Sequence, residues 1–370
     1  MEIAGYPLRR LRARLVEGID APLLALALLL SLVGLAVLYS ASYENAARVL
    51  GQAANLAVAL AAMWAVAQVP PQTLARLAAP AYALGLALLV AVALGGELVN
   101  GARRWLNLGV VRFQPSEMMK IAVPMMLAWY FHRREGATRL RNFALAVGLL
   151  ALPVALIVRQ PDLGTAVLVA AAGFYVIFFA GIGWKVLAVL GGLAAASAPP
   201  LWGLLHDYQR RRILTLLDPS QDPLGAGYHI IQSTIAVGSG GIAGKGWLNG
   251  SQTHLEFIPE RHTDFIFAVY SEEFGLLGNI VLLALYALLV ARGLSIAAQA
   301  ATLFARLLAG AVTLVFFTYA FVNMGMVSGI LPVVGVPLPF ISYGGTALLT
   351  LYIGIGLLMS IHRNRRLVPA

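Results

Sequence analysis

The sequence predicts an all-α polytopic membrane protein with about ten transmembrane helices. Of its 370 residues, 60% are apolar and only 11% are charged, whereas soluble domains carry about 25% charged residues. The mean hydropathy is +0.82, and apolar stretches of about 20 residues, the length that crosses a hydrocarbon core, recur along the chain. These features exclude a soluble globular enzyme and a disordered chain. The sequence has no cysteine, which excludes disulfides and thiolate sites.

The apolar stretches divide into ten predicted spans within one transmembrane domain, residues 21–361. The first span has no charged residue and is longer than the apolar region of a cleavable signal peptide. We expect a segment 1–20 before the domain and a tail 362–370 after it. The predicted spans are 21–41, 50–69, 74–94, 115–132, 142–158, 164–181, 184–204, 264–291, 302–328 and 341–361.

The positions of basic residues predict the orientation of these spans. More than half of the 26 lysines and arginines lie on one side of the predicted membrane. Cytoplasmic loops are enriched in these residues, so we expect this side and both termini to be cytoplasmic. Residues 205–263 then form a large extracytoplasmic loop between spans 7 and 8. In a membrane protein, a net charge of +10 indicates topology and lipid contact, not nucleic acid binding.

Span 4 begins with ionisable residues in an apolar context. Gln114 and Ser116 flank a proline at the predicted helix start, and Glu117 and Lys120 follow three residues apart on one face. One interpretation is a structural ion pair or a lysine that reaches the membrane surface. The other is a buried pair that lines a cavity, since ionisable groups inside spans usually face the interior of the bundle.

The densest polar cluster beside an apolar span precedes span 8. Glu260, Arg261 and His262 lead into Asp264, at the predicted outer boundary of the membrane. Thr263 or Asp264 is suited to cap the helix. Alternatively, apolar walls raise the pKa of the Asp264 carboxyl and suit it to act as a general base. We expect His262 to orient a neighbour or touch substrate. Glu272, eight residues on, is a second cavity carboxylate or a packing group.

Two glycine-rich stretches complete the set of candidates. Residues 238–246 do not match a phosphate-binding P-loop, and they predict either a flexible loop or backbone N–H groups with Lys245 near an anionic head group. Residues 331–345 contain three prolines and three glycines in an apolar context. Irregular backbone at membrane depth requires burial in protein or a cavity, so we predict an interrupted segment near the outer face.

Four motifs, which follow one another in the right order along nearly the whole chain, resemble the SEDS family (shape, elongation, division and sporulation). They are GARRWL at 101–106, QPSE at 114–117 with Lys120, PERHTDF at 259–265 and PLPFISYGG at 337–345. The run GKGWLNGSQ at 244–252 resembles the elongation branch of the family, with the division branch as the alternative.

The resemblance implies a peptidoglycan glycosyltransferase that polymerises lipid II at the outer face of the bacterial cytoplasmic membrane. It also implies a class B penicillin-binding protein and other elongation proteins as partners. The family's essential aspartate falls on Asp264, and its functional Glu and Lys fall on Glu117 and Lys120. The predicted substrate-binding residues are Glu117, Lys120, Arg103, Arg104, Gln114, Ser116, Lys245, Glu260, Arg261 and His262.

This activity requires a base for the acceptor hydroxyl and positive charge for the departing pyrophosphate. We assign the base to Asp264. Two other functions fit some of the same residues: a lipid II flippase with an amphipathic cavity, and a scaffold without chemistry. Polymer formed in detergent distinguishes the enzyme from the flippase. The candidate cations are Arg103, Arg104, Lys120, Lys245 and Arg261, with a divalent ion such as Mg²⁺ as the alternative.

Overall fold

A computed structural model describes residues 18–99, 102–107, 112–134, 140–204, 207–222, 225–254, 258 and 260–365. The chain is mainly helical within these ranges. Its longer helices are α1 Ala21–Ala41, α2 Ala46–Ala67, α3 Pro71–Gly95, α4 Pro115–Arg133, α5 Leu140–Arg159, α6 Leu163–Phe179, α7 Trp184–Leu204, α8 Asp207–Leu217, α9 Ala226–Ser239, α11 Ile266–Ala298, α12 Leu303–Val327 and α13 Gly345–Arg363. A four-residue helix, α10 Ser251–His254, precedes α11.

Seven of these helices are long and apolar enough to cross a membrane: α1, α2, α3, α5, α11, α12 and α13. Helix α4 is not one of them, and its first turns contain Glu117 and Lys120. Helices α6 and α7 contribute shorter apolar stretches. The length and composition of these helices are those of a multi-pass membrane protein.

Short polar side chains fix where several helices begin. The carboxylate of Asp20 accepts a hydrogen bond from the Leu23 N–H (2.9 Å), and Asp162 accepts one from Thr165 (3.2 Å). These caps satisfy backbone donors that have no partner within the helix. Pro115 occupies the first position of α4, where its missing N–H costs nothing.

Side-chain contacts gather the helix termini into two ends of the bundle. At one end, which we call the basic end, Asp20 pairs with Arg292 of α11 and His362 lies 3.4 Å from the same carboxylate. Arg363 donates to Gln68 there (2.7 Å). At the other end, the site end, Arg261 donates to the Ala41 carbonyl (2.8 Å). The first and last described parts of the chain therefore meet at the basic end.

The structure corrects several sequence-based boundaries. The span predicted at 264–291 is helix α11, which starts at residue 266 and extends to Ala298. The span predicted at 341–361 begins only at Gly345, because residues 329–344 form irregular backbone. Segment 205–263 contains helices α8, α9 and α10 and a 3₁₀ turn, Pro219–Gln221. Residues 1–17, Arg139, His206, Pro259 and 366–370 lie outside the described residues.

The all-α prediction missed a small antiparallel sheet at the site end. Strands β1 Glu97–Val99, β2 Ala102–Asn107 and β3 Arg112–Phe113 are hydrogen-bonded in that order. Leu106 pairs with Phe113 across β2 and β3. The sheet connects α3 to α4 and brings Arg103 and Arg104 to this end of the bundle.

Helix α11 is broken one third of the way along, and a loop fills the break. Gly275 has φ of +63° and ψ of −161°. The carbonyls of Glu272 and Glu273 accept hydrogen bonds from the N–H groups of Lys245 and Gly246, both at 3.0 Å. The N–H groups of residues 276 and 277 donate to carbonyls at 241 and 242. The glycine-rich stretch therefore replaces missing helical hydrogen bonds, and these N–H groups of Lys245 and Gly246 are already used.

Candidate active site

Asp264 lies in a turn at the site end, immediately before α11. The helix begins at Ile266, and its N-cap residue, Phe265, makes no side-chain cap hydrogen bond. The prediction that Thr263 or Asp264 caps the helix is therefore wrong. The Thr263 hydroxyl is instead 3.1 Å from a carboxylate oxygen of Glu260.

The Asp264 carboxylate is only partly accessible. In the part of the chain that the structure describes, no side chain donates a hydrogen bond to it. A Cβ added to Gly335, which has φ of +71°, would lie 3.3 Å from Asp264 Oδ2. Burial, with a smaller contribution from the charge of Glu260, raises the pKa of Asp264 to about 6. The carboxyl can thus accept a proton near neutral pH.

Cationic groups surround this turn. Arg48, in the first turn of α2, lies 2.8 Å from His262 Nε2. Arg261 stacks over the Tyr43 ring at 4.2 Å from its centroid. Burial, together with Arg48 and Arg261, lowers the pKa of His262. The lowered pKa favours the neutral imidazole of His262, so the positive charge at this turn comes from Arg48 and Arg261.

Three consecutive carbonyls of the turn are hydrogen-bonded from α12 and from the irregular segment. The N–H of Tyr343 donates to the His262 carbonyl (2.8 Å). The Ser342 hydroxyl donates to the Thr263 carbonyl (2.6 Å), and the Asn323 amide donates to the Asp264 carbonyl (2.7 Å). The interrupted segment predicted at 331–345 is half-buried or buried, except at the exposed Gly335, and forms one wall of the site.

The ionisable pair of α4 is buried inside the bundle. Lys120 Nζ donates to Glu117 Oε1 (2.5 Å) and to the Tyr319 hydroxyl of α12. The Lys120 side chain is 3% exposed, which rules out a lysine that reaches the membrane surface. Among the residues that the structure describes, the second oxygen of Glu117 and the Ser116 hydroxyl are buried without a hydrogen-bond partner.

A cavity of about 280 Å³ adjoins this pair, between α3, α4 and α13. Glu117 and Gln114 line its wall, with Thr346 and Thr350 opposite. This geometry supports the prediction of a buried pair at a cavity. A larger apolar groove of about 750 Å³ lies between α11 and α12, and its described lining includes none of the predicted site residues.

The other predicted cations are held away from the Asp264 turn or are already paired. Arg104 donates to the carbonyls of Gln160 and Pro161, and Gln114 donates to Asp162 (2.9 Å). These bonds fasten the sheet to the α5–α6 turn. Arg103 is exposed on β2. Among the described residues, no group of three or more acidic or histidine side chains is arranged to hold a metal ion.

Lys245 forms an ion pair with Glu272 (2.7 Å) and also donates to Ser251 (2.6 Å). Glu272 is fully buried and also accepts from the Gln252 N–H (3.0 Å). This geometry favours the packing interpretation of Glu272. Substrate contact by Lys245 stays a prediction.

Sequence reasoning missed Arg48, Tyr319, Asn323 and Ser342 as parts of the site. Arg48 follows a polar turn and looks like a surface residue. Tyr319 and Asn323 are single polar residues in an apolar helix, a pattern with no functional signal of its own. They are four residues apart, about one turn of α12, so one face of that helix contacts both Lys120 and the Asp264 turn.

Comparisons with known proteins identify the family. Residues 20–367 match the FtsW/RodA/SpoVE family model, described as cell cycle protein. The chain is 52% identical to the peptidoglycan glycosyltransferase MrdB of Escherichia coli K12 over 95% of both chains. It is 36% identical to a probable peptidoglycan glycosyltransferase FtsW of Idiomarina loihiensis, covering 94% of this chain and 88% of that protein.

Solved structures agree with this assignment. A chain of a peptidoglycan synthase complex, described as coordinating polymerization and crosslinking, is 35% identical with a TM-score of 0.81; the match covers 94% of this chain and 99% of that one. The rod shape determining protein RodA of Thermus thermophilus is 31% identical with a TM-score of 0.71, covering 94% and 97%. The chain therefore belongs to the FtsW/RodA/SpoVE family of cell cycle proteins, which is the SEDS family that its motifs resemble.

Proposed function

We propose that this protein is a peptidoglycan glycosyltransferase that polymerises lipid II into β-1,4 glycan strands for cell elongation and rod shape. The observation that carries the proposal is 52% identity with the glycosyltransferase MrdB over 95% of both chains. The lower identity with FtsW proteins, 36%, favours elongation over division.

In the proposed reaction, Asp264 is the general base. Its carboxylate removes the proton of the acceptor GlcNAc 4-hydroxyl while that oxygen forms a bond to C1 of the donor MurNAc. The bond from C1 to the pyrophosphate oxygen breaks, and the electron pair leaves with the pyrophosphate. A single displacement converts the α-linked donor into a β-linked product. Two features of Asp264 support this role: no described side chain donates a hydrogen bond to its carboxylate, and its pKa is raised to about 6.

The departing pyrophosphate carries negative charge and must be stabilised by positive groups. Cations that the fold already holds in position do this with little reorganisation during the reaction. Arg48 and Arg261 flank the Asp264 turn and supply two guanidinium groups. Arg103, exposed on the sheet at the site end, is a third candidate. Glu117 has one oxygen that makes no hydrogen bond to any described residue, and a cavity lies beside it, so it is suited to accept a hydrogen bond from a donor group of the substrate.

We propose ten crossings of the bacterial cytoplasmic membrane, by α1–α7 and α11–α13. Arg133, Arg141, Arg306 and Arg363 lie at or near helix termini of the basic end, so that end faces the cytoplasm. Both termini are then cytoplasmic, and the site end with segment 205–263 faces outward, where lipid II is polymerised. The proposed partner is a class B penicillin-binding protein, consistent with the similarity to a chain of a peptidoglycan synthase complex.

The test is polymerisation of labelled lipid II by the purified protein and its partner in detergent micelles. The proposal predicts glycan strands from the wild type and none from Asp264→Ala assembled with the same partner. Micelles have no second compartment, so polymer cannot result from transport. Absence of polymer, together with transfer of labelled lipid II across vesicle membranes, would identify a flippase and overturn the proposal.

A further inference from the structure

The turn that contains Asp264 is held through its backbone carbonyls, which accept hydrogen bonds from side chains of other segments. We propose that Asn323 and Ser342 are positioning residues that hold the Asp264 carboxylate at its reactive place, an inference that rests on the proposed function. Each donates to a carbonyl of the turn. Neither needs to touch substrate, so both act through Asp264.

The amide of Asn323 has only one orientation that fits its surroundings. Its nitrogen lies 2.7 Å from the Asp264 carbonyl and 2.7 Å from the Val336 carbonyl. Both neighbours are acceptors, so the NH₂ group must face them. Asn323 is fully buried, and its Oδ1 has no hydrogen-bond partner within the described part of the chain. A buried polar group that is only partly satisfied costs stability, which points to a role beyond packing.

The Asn323 amide also sets the distance between the Asp264 turn and the irregular segment that faces it, because it donates to carbonyls of both. Val336 follows Gly335, and the Gly335 backbone passes directly beside Asp264 Oδ2. One side chain on α12 therefore fixes the turn and the segment facing it. A side chain at position 335 would occupy this space, and the positive φ of Gly335 favours glycine there.

Ser342 holds the turn through a hydroxyl with two simultaneous partners. It donates to the Thr263 carbonyl (2.6 Å) and accepts from the Leu338 N–H (2.7 Å). Alanine would remove both bonds, whereas threonine retains a hydroxyl. The Gln52 amide donates to the Ser342 carbonyl (3.2 Å) and so fastens this residue to α2.

Helix α12 connects the Glu117–Lys120 pair with the Asp264 turn. Tyr319 receives a hydrogen bond from Lys120, and Asn323 lies one turn further along α12. The rise over four helical residues is about 6 Å. Because displacement of a reacting group by about 1 Å can cost up to about 100-fold in rate, loss of an anchor should lower turnover while leaving substrate binding nearly unchanged.

The test compares Ser342→Ala, Ser342→Thr and Ser360→Ala, each assembled with the partner. Ser360 is a matched control, since it is also a buried serine that donates to a backbone carbonyl, but at the basic end. We expect Ser342→Ala to lower kcat about 10-fold or more, with KM within about twofold. Ser342→Thr should restore much of kcat, and Ser360→Ala should leave it unchanged.

The pH profile separates positioning from a structural defect. Glu260 is the charged group that acts on Asp264. The other charged or titratable groups at the turn are Arg261 and His262 of the turn itself, Arg48 of α2, which contacts His262, and His229 of α9, which stacks on Phe265. All are retained in these variants. In Ser342→Ala, water should enter the loosened turn and move the acidic limb of kcat/KM to lower pH. The limb should not move in Ser360→Ala.

Asn323→Asp supplies an independent variant of nearly the same shape. A buried carboxyl, ionised or protonated, donates at most one hydrogen bond and cannot hold both carbonyls at 264 and 336, so we expect a loss of kcat at least as large as in Ser342→Ala. This variant also decides the question if Ser342→Ala does not assemble. The positioning role is overturned if the assembled variants keep the wild-type kcat and the acidic limb of their kcat/KM profile does not move. If Asp264→Ala is inactive in the same assay, the proposed function stays intact. An inactive wild type would instead contradict the function.

Discussion

Two Glu–Lys ion pairs in the described residues are built in opposite ways. Glu117 and Lys120 lie on one turn of α4, and the side chains are 10% and 3% exposed. Glu272 and Lys245 join α11 to a loop, and Lys245 is 29% exposed. Glu117 Oε2 has no hydrogen-bond partner among the described residues, whereas Glu272 Oε1 accepts from Lys245, Ser239, Ser251 and the Gln252 N–H.

The difference indicates distinct roles for pairs of identical composition. A buried charge pair is costly unless further hydrogen bonds satisfy it. The Lys245–Glu272 pair has these further hydrogen bonds and lies where the loop fills the break in α11. This arrangement favours a role in the fold. The pair in α4 keeps one oxygen without a partner among the described residues, beside a cavity, and we propose that it serves function. Removing each pair as a unit tests this distinction.

The largest effect is expected for Glu117→Gln combined with Lys120→Met. Replacing both partners avoids an unpaired buried charge, so thermal stability in detergent should stay close to that of the wild type. Polymerisation of lipid II should fall about 100-fold or more, as when a group that orients substrate is lost. Wild-type activity in this double variant would assign the α4 pair to the fold.

Gly275→Ala should lower the stability of the protein strongly, because it disturbs the break in α11 that the loop of residues 241–246 fills. An added Cβ would lie 2.3 Å from the Gly244 nitrogen, at a φ of +63°. Left-handed backbone and overpacking together cost about 3 kcal/mol, measured as a lower thermal midpoint. Gly148→Ala is the control: it lies in helix α5 with open space around it and should be neutral or slightly stabilising. Equal midpoints for the two variants would contradict the closed break.

The smallest effect is expected for Glu272→Gln combined with Lys245→Met. Glutamine keeps an acceptor for the Gln252 N–H, and neither substitution leaves a buried charge. Stability should fall by about 1 kcal/mol, and polymerisation should stay within about threefold of the wild type. A loss comparable to that of the α4 double variant would show that Lys245 contacts substrate.

The sequence was sufficient to predict features that depend on local spacing or on long motifs. The shared face of Glu117 and Lys120 follows from helical geometry, and the polar cluster before α11 marked Asp264. It was not sufficient for features that depend on tertiary contact. Tyr319 and Asn323 acquire their roles only when α12 packs against α4 and the Asp264 turn. The break at Gly275 was hidden in an apolar run, because its hydrogen bonds come from residues 241–246.

The central claim is that the Asp264 carboxylate is the general base, and the pH dependence of polymerisation tests it most directly. A base must be ionised to accept a proton, and the pKa of Asp264 is raised to about 6. The account predicts that kcat/KM rises through about pH 6 to a plateau, and that Asp264→Asn, of nearly the same shape, is inactive at every pH. Substantial polymerisation by Asp264→Asn, with the same limb as the wild type, would contradict it.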